Sequence, residues 1–329
     1  MTNNSISEIV KKLKQSKSVA VFCHARPDGD ALGAGLALCA ALRNAGKSAT
    51  MFCEDLPPQK FSFIIPEGAV IRGISTKSEY DTFVSVDCAD VARMGIFAET
   101  YSKFSGTTIN IDHHFSNNGY GKLNYVCNCP ASCEVLTEIL RAANFEITAE
   151  IADLLMLGLI TDSGNFTHCD VSEKTFETAA YLRKSGADVN KINYNMYARQ
   201  PKARALLYAK VMDGMRFALN DKLAFIITTQ DDLRKFAADK SLTEGFVDFP
   251  LTIDGVEVSI SLMEVKKRQY KISMRIKGTV NVNAVASAFG GGGHVLASGC
   301  MIFGELEEVI ERLTYSYRKG VMENDLRDQ

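Results

Sequence analysis

Tryptophan is absent from these 329 residues, and only seven are proline and five histidine. No apolar run reaches the roughly 20 residues that a bilayer span needs, so no membrane partner is expected. The opening stretch, MTNNSISEIVKKLKQS, lacks the apolar centre of a secretory signal. An excess of either charge is missing too: 37 basic residues stand against 39 acidic ones, a net charge of −2. A protein that coats long duplex nucleic acid needs a cationic surface, so that role is disfavoured; a short anionic ligand needs only a local patch. A disulfide framework is not expected either. The nine cysteines are odd in number, and several sit inside apolar runs, which points to a reduced, cytoplasmic chain. Only Cys127, Cys129 and Cys133 cluster, with no partner pair at zinc spacing nearby.

Apolar residues make up 46% of the chain, enough for a sizeable core, and the length suggests two domains. The first half alternates strand and helix signals. SVAVFCH (18–24), SATMFCE (48–54), TFVSVDC (82–88) and TTINIDHH (107–114) read as buried strands. An Ala/Leu-rich helix spans 31–45, and further helices are expected at 132–145, 148–160 and 172–185, with Ser132 and Ser172 as caps. This alternation predicts a mostly parallel sheet with flanking helices and right-handed crossovers. The second half changes rhythm. LAFIITT (223–229) reads as a strand. VEVSISLMEV (256–265) and YKISMRIKG (270–278) alternate with a period of two and form a hairpin through KKRQ. A short helix (282–288), the run GGGGH (290–294), a strand (299–303) and a final helix (306–319) complete a smaller α/β domain with a mixed sheet. The expected divisions are a catalytic domain at 1–190, a helical connector at 187–214 and a second domain at 215–329.

Chemistry concentrates at the strand ends. His24, Asp28 and Asp30 follow the first strand, Asp87 ends the third, and Asp112-His113-His114 end the fourth; Asp162 closes a helix. Carboxyl ends of parallel strands converge on one edge, where ligands bind. Alone, Pro27-Asp28-Gly29-Asp30 would read as a turn and a helix cap. Together, so many carboxylates at one edge repel one another unless cations lie between them. Aspartate oxygens and imidazoles without thiolate suit Mn²⁺, Mg²⁺ or Fe²⁺ over structural zinc. The donor set is large enough for two cations sharing a carboxylate about 3.5–4 Å apart, the arrangement that drives phosphoryl displacement by water. His168 follows Asp162 closely and reads equally as a cleft residue or a loop cap. In the second half, Lys271, Ser273, Arg275 and Lys277 share a strand face, and Gly290 to Gly293 can offer backbone N–H groups to an anion.

The ordered set HxxxDxD (24–30), VD (86–87), DHH (112–114), TDSG (161–164) and GGGGH (290–294) resembles the DHH phosphoesterase superfamily, with its DHH-associated C-terminal domain. The resemblance covers nearly the whole chain and is nearest to the cytoplasmic nanoRNases, which also dephosphorylate adenosine 3′,5′-bisphosphate. It implies one cation, most readily Mn²⁺, on His24, Asp28 and Asp87. It implies a second on Asp30, Asp87, His113 and Asp162. Asp112 would orient a ligand histidine, and His114 would face the scissile phosphate. Arg275 and His294, with Gly291, Gly292 and Gly293, would hold a second phosphate. Two departures stand out: Ile276 after Arg275, and Val295-Leu296 after His294. The expected substrates are short single-stranded RNA or a nucleoside bisphosphate. Linear or cyclic dinucleotides, pyrophosphate and polyphosphate are the alternatives, a non-catalytic nucleotide sensor is the rival of another class, and a homodimer is left open.

Overall fold

The computed structural model describes residues 3–73, 80–277 and 281–325. The chain divides into two compact units, Met1–Arg199 and Gln200–Gln329. The first opens with α1 (Ile6–Gln15), β1 (Ser18–Phe22), α2 (Gly29–Asn44) and β2 (Ser48–Phe52). It continues through β3 (Val70–Ile71), β4 (Thr82–Val86), α3 (Ala98–Ser102), β5 (Thr107–Asp112) and β6 (Leu123–Val126). α4 (Ser132–Ala142), α5 (Ala149–Asp162), α6 (Glu173–Lys184) and α7 (Val189–Asn193) follow.

All six strands are parallel, in the order β3-β2-β1-β4-β5-β6. The sequence explains the layering. On β1, Val19 and Val21 join a core formed with α2, α4 and α5, while Ala20 and Phe22 join an aromatic cluster of Phe52, Phe83, Phe97 and Tyr101 on the other face. Helices α2 and α5 are apolar almost all round because each is buried along nearly its whole length. From β1 the chain builds outward through β2 and β3 on one side, then crosses back to place β4 on the other side of β1. This switch point lies between the strands that end at His24 and Asp87.

The second unit contains α8 (Lys202–Asp213), β7 (Arg216–Ala218), β8 (Leu223–Thr228), α9 (Gln230–Lys235), β9 (Val258–Lys266) and β10 (Gln269–Ile276). It closes with α10 (Val282–Ser287), β11 (Gly292–Gly293), β12 (Ala297–Phe303) and α11 (Leu306–Asp325). Its mixed sheet runs β11-β12-β10-β9-β8-β7, with β8 and β9 parallel and the other pairs antiparallel. Ile260, Leu262, Ile272 and Met274 bury one face against Val282, Val285, Val309 and Leu313 of α10 and α11.

The expected 187–214 connector is not one piece. It breaks at Arg199–Pro201, and α8 joins the second unit by burying Leu207 and Val211 with Ile226. Gly278, assigned to a strand from sequence, lies outside the described residues, and β10 ends at Ile276. Among the described residues no helix is long and apolar enough to cross a membrane.

Candidate metal centre and substrate-binding residues

Past β1, the chain turns through His24 and Arg26, which has a positive φ of 54°. The turn ends at Asp28, the N-cap of α2: its Oδ1 accepts from the amides of Asp30 and Ala31 at 3.1 and 3.0 Å. Asp28 Oδ2 then lies 3.6 Å from His24 Nε2. Asp87, one residue past β4, has φ 51°, a left-handed conformation that aspartate tolerates better than most side chains. Its carboxylate lies between two imidazoles, 3.5 Å from His24 Nε2 and 3.4 Å from His113 Nε2. His113 Nε2 also lies 3.2 Å from Asp162 Oδ2, at the C-terminal end of α5.

Asp30 does two things. Its carboxylate groups with His113 and Asp162, and it accepts the amides of Ser132 and Cys133 at 2.6 and 2.9 Å. Ser132, expected to cap α4, is instead its first residue. The cap position is Ala131, which has no side-chain acceptor, so Asp30 reaches across to supply one. The Ser132 hydroxyl donates to Asp87 Oδ1 at 3.2 Å. No sequence signal pointed to this role.

Two of the donor groups are His24–Asp28–Asp87 and Asp30–His113–Asp162, and a third brings Asp87 together with Asp112, His113 and His114; ligand atoms in each group lie within 4.8 Å of one another. Asp87 belongs to the first and third and borders the second through His113. His24 Nδ1 faces the Ala25 carbonyl at 2.7 Å, and His113 Nδ1 faces the Cys129 carbonyl at 2.9 Å. A carbonyl only accepts, so Nδ1 carries the hydrogen in each ring. In the neutral ring Nε2 then offers a lone pair to the carboxylate cluster, as a metal ligand must. His113 Nε2 is buried without a hydrogen-bond partner. An orphaned nitrogen facing carboxylates is what a cation would satisfy, so these residues fit divalent metal ions.

Electrostatics agree. Burial alone would lower both imidazoles; Asp28 and Asp87 around His24, and Asp87 and Asp30 around His113, raise each to about 10. Burial would raise Asp87, but the same imidazoles hold it below the usual carboxylate range. Burial and the Asp87 charge push Asp30 up, and Asp162 up to about 6. Protons here occupy the places where positive charge is needed.

His114 stands beside the same carboxylate, its Nδ1 3.6 Å from Asp87 Oδ1, but its closest partner is another aspartate. Its Nδ1 donates to Asp112 Oδ1 at 2.8 Å, and Asp112 is buried and accepts from Asn117 Nδ2 at 2.5 Å. Asp112 therefore orients His114 rather than His24 or His113. His168 resolves toward the loop cap: it is exposed, and its Nδ1 bonds the Asp162 carbonyl at 2.9 Å. Among the described residues no cysteine joins a metal-ready group; Cys133 turns its thiol to the Asp30 carbonyl.

In the second unit, Lys271, Ser273, Arg275, Gly292 and Gly299 line a depression of about 430 Å³. Arg275 Nε lies 3.6 Å from Asp248 Oδ1. Lys277 is not free on that face; its ammonium donates to the Leu251 and Ile253 carbonyls. Part of the glycine run is committed to backbone hydrogen bonds. The Gly290 and Gly291 amides donate to the Ser287 and Ala286 carbonyls, ending α10. Gly292 and Gly293 pair with Gly299 and Ser298. His294 N donates to Ala297 O at 2.8 Å. Helix termination and the turn into β12 thus use the amides of Gly290, Gly291 and His294. At two of these positions a side chain is excluded sterically: a Cβ on Gly291 would stand 2.2 Å from the Gly299 oxygen, and one on Gly293 2.6 Å from the Ala297 oxygen.

Residues 18–159 match the DHH family N-terminal domain, and residues 220–318 match the DHHA1 domain. The chain carries a DHH domain followed by a DHHA1 domain. It is 28% identical to the bifunctional oligoribonuclease and PAP phosphatase NrnA of Thermus thermophilus over 317 residues, 95% of this chain and 93% of that protein. It is 29% identical to the probable bifunctional oligoribonuclease and PAP phosphatase NrnA of Streptococcus mutans, covering 93% and 96%. In fold it is similar to an exopolyphosphatase-related protein from Bacteroides fragilis, with TM-score 0.81, 24% identity and 95% of each chain covered. A crystal structure of RecJ from Thermus thermophilus in complex with Mn²⁺ has TM-score 0.50 and 15% identity, covering 97% of this chain and 55% of that one. The DHH-family sheet thus carries the histidine–aspartate cluster, and the DHHA1 unit carries Arg275 and the glycine run.

Proposed function

We propose that this chain is a divalent-cation-dependent phosphoesterase. It hydrolyses short oligoribonucleotides to mononucleotides and adenosine 3′,5′-bisphosphate to AMP. The observation that carries the reading is the pair of donor groups bordering Asp87 at the sheet switch point. Similarity to NrnA proteins over more than nine-tenths of the chain supports the substrate class.

His24, Asp28 and Asp87 would hold one cation, most readily Mn²⁺, and Asp30, Asp87, His113 and Asp162 a second. Cations bound there lower the pKa of water and offset charge on phosphoryl oxygens. The Ala25 and Cys129 carbonyls fix the two ligand imidazoles in the required tautomer. Asp112 holds the Nδ1 proton of His114, so that His114 Nε2 can bond a phosphoryl oxygen or protonate the leaving oxygen. Arg275 and His294 take a second, non-reacting phosphate; Gly291 to Gly293 keep side chains out of the way. The buried thiols fit a reducing, cytoplasmic compartment.

The test is hydrolysis of end-labelled RNAs of increasing length, of adenosine 3′,5′-bisphosphate and of pyrophosphate, with Mn²⁺ supplied. Mononucleotide release from dinucleotides with little pyrophosphate turnover supports the reading. Turnover of pyrophosphate alone would replace it with an inorganic substrate, and metal-bound protein inert to all of them would mark a sensor.

A further inference from the structure

Phe115 follows His114 directly and is 96% exposed. The unit has room for aromatic side chains: Phe22, Phe52, Phe83 and Phe97 pack together beneath the same sheet. Phe115 is left outside, and on a rigid support. His114, Phe115, Ser116 and Asn117 form a tight turn in which the Asn117 amide donates to the His114 carbonyl at 3.1 Å. Asn117 is buried; its side chain donates to Asp112 Oδ2 and the Cys88 carbonyl, at 2.5 and 3.3 Å, and accepts from Asn110 at 2.9 Å. One network therefore fixes both the Asp112–His114 pair and the turn that carries the ring.

Single exposed apolar residues are common on surfaces and need no explanation. Phe115 differs in position: it is one residue from the imidazole that faces phosphate in the reading above. A ligand that brings a phosphate and a flat ring together, a few bonds apart, is a nucleotide. We propose that Phe115 is the platform on which a nucleobase adjoining the scissile phosphate stacks. It makes the site selective for nucleotidyl substrates over inorganic phosphates. Stacking of this kind is indifferent to base identity, because every base has a π face. Phe115 takes no part in the chemistry; it positions and selects. This proposal rests on the phosphoesterase reading.

The chain's lack of tryptophan gives a direct readout. Phe115→Trp keeps an aromatic platform and introduces a sole indole, whose emission a dinucleotide should quench saturably while an abasic dinucleotide of equal charge does not. In kinetics, Phe115→Ala should raise KM for dinucleotides by about five- to a hundredfold, with kcat nearly unchanged. Abasic substrates should be unaffected, and Phe115→Trp should restore KM. The ring is exposed, so Phe115→Ala should fold normally. Equal losses on normal and abasic substrates, or no loss on either, overturn the platform while the phosphoesterase reading stands. So does Phe115→Trp emission that ignores a dinucleotide the enzyme still cleaves. If the unaltered protein cleaves pyrophosphate but no nucleotide, both fall together.

Discussion

At Asp87 one carboxylate borders three imidazoles, those of His24, His113 and His114, and a serine hydroxyl, on a backbone held at positive φ. Alanine there would change charge and backbone preference at once. Asparagine keeps the left-handed conformation and removes only the anionic bridge. Asp87→Asn should lower turnover by several orders of magnitude and weaken Mn²⁺ binding, with an unchanged circular dichroism spectrum. Near-normal turnover with full Mn²⁺ binding would sink the shared-carboxylate arrangement. His114→Ala should behave oppositely, lowering kcat while calorimetry still finds the cations bound. Acidity follows from the same contacts. His24 and His113, raised to about 10, hold protons in the cation-free protein, and a cation must displace them. Mn²⁺ affinity should therefore fall as pH falls, by about tenfold per pH unit for each proton displaced. Titrations in buffers of different ionisation heats would reveal that release, and an affinity flat from about pH 6 to 9 would contradict it.

Helices α2 and α5 approach closely enough to constrain the site from behind. A Cβ on Gly158 would stand 2.3 Å from Cys133 Sγ, 2.6 Å from Asp30 Oδ1 and 2.9 Å from Asp30 Cα. The last of these is backbone, so the helices would have to part. Gly158→Ala gains about 1 kcal/mol of helix propensity but should lose about 1–3 kcal/mol to overpacking. Because Asp30 is what it displaces, Mn²⁺ affinity should drop although no ligand is changed. Thermal melts and calorimetry check the pair, and a stabilised variant with normal affinity would disprove the coupling. Elements of this length were legible in the sequence because buried parallel strands and apolar helices leave long unbroken signals. α1, the two-residue β3 and the short β6 were not read. β6 borrows its edge partner from the chain start, where the Asn4 amide donates to the Asn124 carbonyl and Asn3 brackets Val126, a pairing with no local pattern. In the cluster, residue types and strand ends were legible, but the Asp30 cap of α4 and the Asp112–His114 pairing depend on distances that spacing does not encode. In GGGGH, spacing could not show that helix-end bonds take the Gly290 and Gly291 amides and that the His294 amide closes on Ala297.

Charge across the whole molecule limits what the substrate can be. The net charge is −2 and tryptophan is lacking. On the open face of the second sheet, Lys271 and Arg275 are offset by Asp248 beside Arg275, and Lys277 is committed to backbone carbonyls. Tight binding along a strand uses a continuous cationic groove with aromatic stacking residues, and its affinity falls steeply with salt as each contacted phosphate releases a counterion. Lys240, Lys271 and Arg275, with Glu244 and Asp248 among them, do not make such a track. Binding should therefore rest on a few isolated phosphate contacts rather than on a track. Arg275→Ala should weaken binding by about ten- to a hundredfold for substrates with a second phosphate, the worth of a charge-assisted contact. A substrate with one phosphate should lose far less. Turnover should be best for RNAs of roughly two to five nucleotides and for adenosine 3′,5′-bisphosphate, with the salt dependence of only one or two phosphate contacts. A 24-nucleotide strand or a duplex gains nothing from its added length where no continuous cationic track receives its remaining phosphates. Rates that climb steadily from dinucleotide to 24-mer at fixed salt would require a track that these residues do not form, and would make the chain a processive exonuclease.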